Sequence, residues 1–410
     1  MKNIFLIISL IIILLVTLIK PLYFFFKEGT TIRVVMYPYV PNGKKLFSVL
    51  KDKFETDHPL VNIQLVETFQ ESGSGLSELL ASNYYDGGLL QSQADIYEID
   101  TILLQSMIKA NKIDPIQIPN SNYISQALKA VQYKNRNWGI PHWVCGNFLF
   151  YKKGDRAIAK ASNLDELINT LKKEGFLLLD LKGKSTLGEF YLTSLAASDG
   201  NETSILKKIH ANSLDPTAVK ILEKLLSLCP TGYCRSKALH NRVGFYAQLF
   251  AQGKARAYIG YSESLYYVLE EIRNNCSPTD DCLTVQEILV RAIPTLNSNG
   301  KQVGWTDVLS LSRNLSPKKK KIAMDFIRFL TSWEAYKLIL NSNDISAPRY
   351  LLPALIFSNK FPQLQAIHYP MFYDAYQSRL ILSGKNLNNT LREKGDILDF
   401  ILSRSELDQN

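Results

Sequence analysis

The sequence predicts a two-lobed α/β protein with a ligand cleft between the lobes, preceded by an N-terminal apolar segment. Three observations predict it. The chain has 410 residues, and a single core stops growing at about 250–300 residues, so two lobes are expected. Past residue 30 the pattern alternates strand and helix, as an α/β lobe does. Past residue 149 it turns mostly helical before strands reappear, which fits a chain that builds a second lobe and comes back, leaving a cleft as the default binding site.

Residues 4–19 are almost wholly apolar between Lys2 and Lys20, and Pro21 and an aromatic patch closed by Lys27 follow. This run exceeds most signal-peptide cores and falls short of the roughly 20 residues that span a bilayer, unless residues 21–26 complete the crossing. Residues 1–29 therefore read as a signal peptide or membrane anchor. The lack of small residues at an A-x-A-like cleavage site favours the anchor. Either way the body is expected to be exported: secreted, periplasmic or tethered to the membrane by this segment alone.

The body opens with a strand, Thr-Ile-Arg-Val-Val-Met, and a turn at Pro38 and Pro41, then a helix over 43–56. Residues 61–66 alternate as a half-buried strand, and 94–100 form a third strand with a helix from Thr101. This order predicts a largely parallel sheet, in which ligands bind outside the carboxyl ends of the strands. Tyr37, Tyr39 and Asp100 fall on that edge. Asp95 begins its strand and reads as structural. Residues 133–151 read as a hairpin running into one strand through Cys145 to Tyr151. An amphipathic helix over 164–174 opened by Asn163, a strand over 175–181 and helices through much of 187–273 build the second lobe. Strands at 255–260 and 288–293 are expected to return the chain to the first lobe, followed by a strand at 304–311 and helices from Lys318. The lobes are then 30–148 with about 285–340, and 149–284 with about 341–410.

Composition narrows the function. With 46% hydrophobic and 21% charged residues, the chain is neither disordered nor a multispan membrane protein. Lys and Arg number 47 against 38 Asp and Glu, a formal net charge of +9. The excess is spread out, and its one dense cluster, Lys318 to Lys321, follows Ser-Pro before an apolar run and reads as a solvated helix start. No nucleic-acid partner is expected.

Four of the five cysteines fall into close pairs, Cys229 with Cys234 and Cys276 with Cys282, each able to close a small ring in an oxidising compartment. A zinc site is the competing reading, but the spacings are not Cys-x-x-Cys and only His240 is near. Cys145 is left over, either buried and inert or kept for chemistry. The histidines, at 58, 142, 210, 240 and 368, lack metal spacing, and no metal is expected. His142 lies three residues from Cys145, which on a strand sends the two to opposite faces. Phosphate-loop, nucleophile-elbow and zinc-helix motifs are absent, and Gly73-Ser74-Gly75 and Asp86-Gly87-Gly88 read as loops. As a nucleophile Cys145 needs a base. Glu263, just past a strand and beside a glycine turn, could point into a cleft, although such a glutamate more often starts a helix.

The run Tyr37-Pro38-Tyr39-Val40-Pro41, the Asp95-x-x-x-x-Asp100 strand, Gly139-Ile140-Pro141 leading to Cys145 and Leu149-Phe150-Tyr151, Phe250-Ala251-Gln252-Gly253, Ile259-Gly260-Tyr261-Ser262-Glu263-Ser264 and Tyr350-Leu351-Leu352-Pro353-Ala354 together resemble thiaminase I, also called thiamine pyridinylase. The blocks keep the family's order over about residues 30–355. The resemblance implies a type II periplasmic-binding-protein-like fold and a transferase. Cys145 would attack the thiamine pyrimidine, the thiazole would leave, and an amine or thiol acceptor would take its place, with Glu263 as acid/base and no cofactor. It also implies that Tyr37, Tyr39, Tyr85, Asp100, Tyr261 and Asp307 bind the substrate. Trp305 stands where the family has tyrosine, and a further family tyrosine falls near Gly244 with Tyr246 displaced. A monomer is expected. The alternative is a non-catalytic extracytoplasmic solute-binding protein for thiamine or a related pyrimidine, which accounts for the fold and leaves Cys145 without a role.

Overall fold

The computed structural model describes residues 29–66, 84–119, 122–173, 175–277, 281–340, 348–356, 368–376 and 379–407. The apolar segment and Gly73-Ser74-Gly75 lie outside the described residues. Among those described, no helix is long and apolar enough to cross a membrane.

Twelve strands form the described sheets: β1 (Thr30–Val35), β2 (Val61–Leu65), β3 (Ile96–Asp100), β4 (Gln132–Tyr133), β5 (Arg136–Asn137), β6 (Ile140–Cys145), β7 (Phe148–Lys152), β8 (Leu177–Leu178), β9 (Ala257–Gly260), β10 (Ile288–Arg291), β11 (Trp305–Leu311) and β12 (Leu352–Pro353). One sheet has the order β12-β6-β11-β3-β1-β2, a second the order β10-β7-β9-β8, and β4 and β5 make the small expected hairpin.

The first sheet is mixed, which corrects the largely parallel expectation. β1 pairs in parallel with β2 and β3, whereas β11 is antiparallel to β3 and β6. The reason is directional. β3 and β6 both end at the cleft, with Asp100 and Cys145, and β11 starts there on its way back from the other sheet. It therefore pairs Trp305 with Cys145 and Asp307 with Asp100.

Two further strand expectations are corrected. The run through Cys145 to Tyr151 is two strands, broken at Gly146-Asn147, where the chain passes from the first sheet to the second. Both strands are almost wholly buried, so their apolar residues run on without an alternation that would mark the change. The strands expected to rejoin the first lobe, at 255–260 and 288–293, instead flank β7 as β9 and β10. The chain re-enters the first sheet at Trp305 rather than near residue 285, and residues 352–353 add its edge strand.

Around the second sheet, the Lys184–Ser198 helix buries residues on every side and packs along the Leu387–Leu407 helix. The two backbones touch: a Cβ at Gly188 would meet the Leu391 carbonyl, and one at Gly395 the Lys184 carbonyl. This crossing fixes Glu189, the next residue, towards the cleft. At the far edge of the first sheet, Ser316 caps the Pro317–Leu330 helix, with Pro317 in its first turn. Lys319 pairs with Asp95 at 3.0 Å and Lys320 with Asp114 at 3.3 Å, so the lysine cluster is a helix start. Asp95 also accepts from the Arg33 amide and is structural.

Candidate active site

A cavity of about 340 Å³ opens between the two sheets. Tyr37, Tyr39, Tyr85, Asp100, Cys145, Tyr261 and Glu263 all line it. They come from separate places: the turn after β1, the segment before β3, the ends of β3 and β6, and the turn after β9. Asp307 is not among the lining residues. It lies 3% exposed within β11, directly across from Asp100.

One wall is aromatic. The Tyr37 and Tyr39 rings are 5.5 Å apart and tilted, and Tyr39 stacks on Tyr85 at 6.5 Å. Tyr85 donates to the Asp100 carboxylate at 2.8 Å. The other oxygen of Asp100 caps the Thr101–Lys109 helix through the Ile102 amide, which fixes where the carboxylate points. Gly244 and Tyr246 both line the cavity, and so does Tyr267, whose ring fills the space a side chain at Gly244 would need.

Burial decides the electrostatics. It is the largest cause raising Glu263 to about 7, and it raises Asp100 to about 6. Asp307 is pushed well up by burial and then by the Asp100 charge. The Cys145 thiol is held well above its usual value by burial and then by Asp307, Glu263, Asp100 and Glu189. At rest it is a neutral thiol among carboxylates. A carboxylate cannot lower that value by charge, so a base is needed to take the proton as the sulfur reacts. Glu263 occupies the N-cap position of the Ser264–Asn275 helix but makes no side-chain cap bond. Its described side-chain contact is from the Ser262 hydroxyl at 3.3 Å.

Sequence reasoning missed Glu189. Its carboxylate accepts from the Tyr261 phenol, from Asn147 Nδ2 at 2.7 Å and from Trp305 Nε1 at 3.3 Å, and burial raises it to about 7. The signal was a lone carboxylate in Thr-Leu-Gly-Glu-Phe-Tyr, in the middle of a helix with no polar face. Trp305 at the family's tyrosine position thus holds a carboxylate of the cleft. His142 is no partner for Cys145: its Nδ1 sits 2.5 Å from the buried Glu98 carboxylate, which also accepts from the Tyr37 amide.

Cys229–Cys234 and Cys276–Cys282 are disulfides, and Cys145 is free. Among the described residues no group of His, Cys, Asp and Glu could hold a metal ion.

The family described as "Bacterial extracellular solute-binding protein" matches residues 50–346, well over half of the chain. The chain belongs to this family. Membership agrees with an exported body. The chain is 25% identical to Thiaminase-1 of Paenibacillus thiaminolyticus over 341 residues, which is 79% of this chain and 76% of that one. Thiaminase I of Clostridium botulinum, solved in complex with thiamin, superposes with a TM-score of 0.73 at 20% identity, covering 91% of this chain and 100% of that one. Maltose-bound MalE3 of T. maritima gives 0.65 at 16% identity, covering 92% and 95%. The resemblance to thiaminase I and the two-lobed binding-protein fold are thus both met by known relatives.

Proposed function

We propose that this solute-binding-protein family member is a thiaminase I-type transferase acting on thiamine. The observation that carries the reading is that Cys145, ending a strand of one sheet, and Glu263, following a strand of the other, open on one cavity walled by tyrosines. Glu263 makes no cap bond there although it stands at a helix start.

Thiamine carries a cationic thiazolium. Asp100, Glu189 and Glu263 favour a cation in the cavity, and aromatic faces add about 0.5–2 kcal/mol by cation–π attraction. The positive net charge works only at long range, where screening over about 8 Å reduces it. As the Cys145 thiol adds to a pyrimidine ring carbon, its proton passes to the Glu263 carboxylate. The ring electrons then break the bond from the bridging methylene to the thiazolium nitrogen, and the electron pair leaves on a neutral thiazole. The lone pair of an amine or thiol acceptor attacks the methylene, the sulfur is expelled from the ring, and Glu263 returns its proton to it. An N–H or S–H acceptor then releases its own proton, whereas pyridine has none and stays in the product as a pyridinium. This sequence uses side chains of the chain itself.

The test is a base-exchange assay with thiamine and aniline or pyridine. Acceptor-dependent release of the thiazole, abolished in Cys145→Ser, supports the transferase. The second reading, a binding protein for thiamine or a related pyrimidine, is favoured by family membership. Tight thiamine binding with no thiazole released by the wild type would establish it instead.

A further inference from the structure

The segment that carries Cys145 out of the first sheet is held by a buried cation. Arg379 is 3% exposed. Its Nη2 donates to the Asn147 carbonyl at 2.6 Å and its Nη1 to the Val303 carbonyl at 2.7 Å. Those carbonyls belong to the two crossings between the sheets, one just after β6 and one just before β11. The guanidinium stacks 4.3 Å from the centroid of the Phe148 ring. Gly146 leaves room for it, because a Cβ there would collide with Nη1. Among the described residues no carboxylate pairs with Arg379.

A desolvated guanidinium held by carbonyl oxygens and aromatic faces, with no carboxylate partner, is costly to bury. Here Asn147 is gripped from both sides, its carbonyl by Arg379 and its side chain by Glu189. Cys145 therefore lies within electrostatic reach of a buried cation and of the carboxylates of the cavity.

We propose that Arg379 is a positioning residue for Cys145: its fork clamps the Gly146-Asn147 crossing so that the thiol faces the cavity, and its charge offsets the surrounding carboxylates as the sulfur becomes anionic. The proposal rests on the nucleophilic reading of Cys145. The groups whose charge reaches the thiol are Asp307, Glu263, Asp100 and Glu189, together with Arg379. Tyr37, Tyr261 and Tyr376 also face it, and all three phenols are pushed up, so they stay neutral as the thiol titrates.

The experiment is alkylation of the single free thiol by iodoacetamide across pH, in the full chain with both disulfides intact. In Arg379→Met the apparent thiol pKa rises by about one unit, which slows alkylation about tenfold at a fixed pH below it. Arg379→Lys keeps the charge and loses the fork, so its thiol titrates between the wild type and Arg379→Met. A folded Arg379→Met that titrates like the wild type overturns the proposal. If Arg379→Met does not fold, Arg379→Gln decides, since it removes the charge and keeps a donor: a raised thiol pKa supports the proposal and an unchanged profile overturns it. Alkylation needs no thiamine. A wild type that alkylates as expected yet leaves thiamine intact sinks the transferase reading and not the role of Arg379.

Discussion

The Tyr261 phenol donates to the Glu189 carboxylate inside the cavity that Cys145 and Glu263 share. Tyr261 belongs to the turn that carries Glu263, and Glu189 to a helix from a distant part of the chain. Removing the hydroxyl leaves a buried carboxylate short of one of its three donors. Tyr261→Phe is expected to destabilise the protein by about 1–3 kcal/mol in urea titration. An unchanged midpoint would mean that water replaces the phenol.

Glu263 must be ionised to take a proton, and burial raises it to about 7. Below that pH it is already protonated, so kcat/KM for thiamine is expected to rise with pH and level off above about 7. Glu263→Gln should lose about 10²–10⁴ in kcat and the ascending limb with it. A flat profile in the wild type would exclude Glu263 as the base.

The same shift links pH to stability. Glu263 and Glu189 have folded values of about 7 against an ordinary carboxyl value of 4.5, so the folded state holds their protons more tightly than the unfolded chain. Their stabilising contribution is full below the unfolded value and is lost as pH rises through the folded one. Tm should fall between about pH 5 and 7.5, and less steeply in Glu263→Gln. A Tm that rises over this range in both proteins would contradict the burial of these carboxylates.

The crossing of the Lys184–Ser198 and Leu387–Leu407 helices has no space for a side chain at Gly395. Gly395→Ala should cost about 1–3 kcal/mol by forcing the helices apart, read by thermal or urea unfolding. Because Glu189 follows the paired Gly188 in sequence, thiamine turnover should fall as well. An alanine variant as stable as the wild type would show that the helices are not in contact.

Part of the cavity wall was legible in the sequence because strand ends carry local signals. Tyr37 and Tyr39 follow an alternating run closed by prolines, Asp100 ends a strand at a helix start, and Glu263 follows a glycine that closes one. The left-over cysteine was found by counting, since its four companions pair within short loops. The lysine cluster after Ser-Pro read correctly as a helix start, because its cap and its first-turn proline act within a few residues.

What the chain could not disclose by itself depends on directions and contacts between distant segments. The local pattern of residues 255–260 and 288–293 marks strands, yet nothing local says which sheet such a strand will join, and both went to the second. The break at Gly146-Asn147 lies between two buried strands, and a Cβ at that glycine would meet Arg379, from far along the chain, and the Val303 carbonyl. Glu189 is the one carboxylate in its helix, and nothing local says that three donors from three segments converge on it. Sequence determined most of the secondary elements, the disulfide pairs and the left-over thiol, because these rest on neighbours. Tertiary structure alone decided the mixed sheet, the raised carboxylates and the cation within reach of Cys145, because burial and charge act through space between residues the chain keeps far apart.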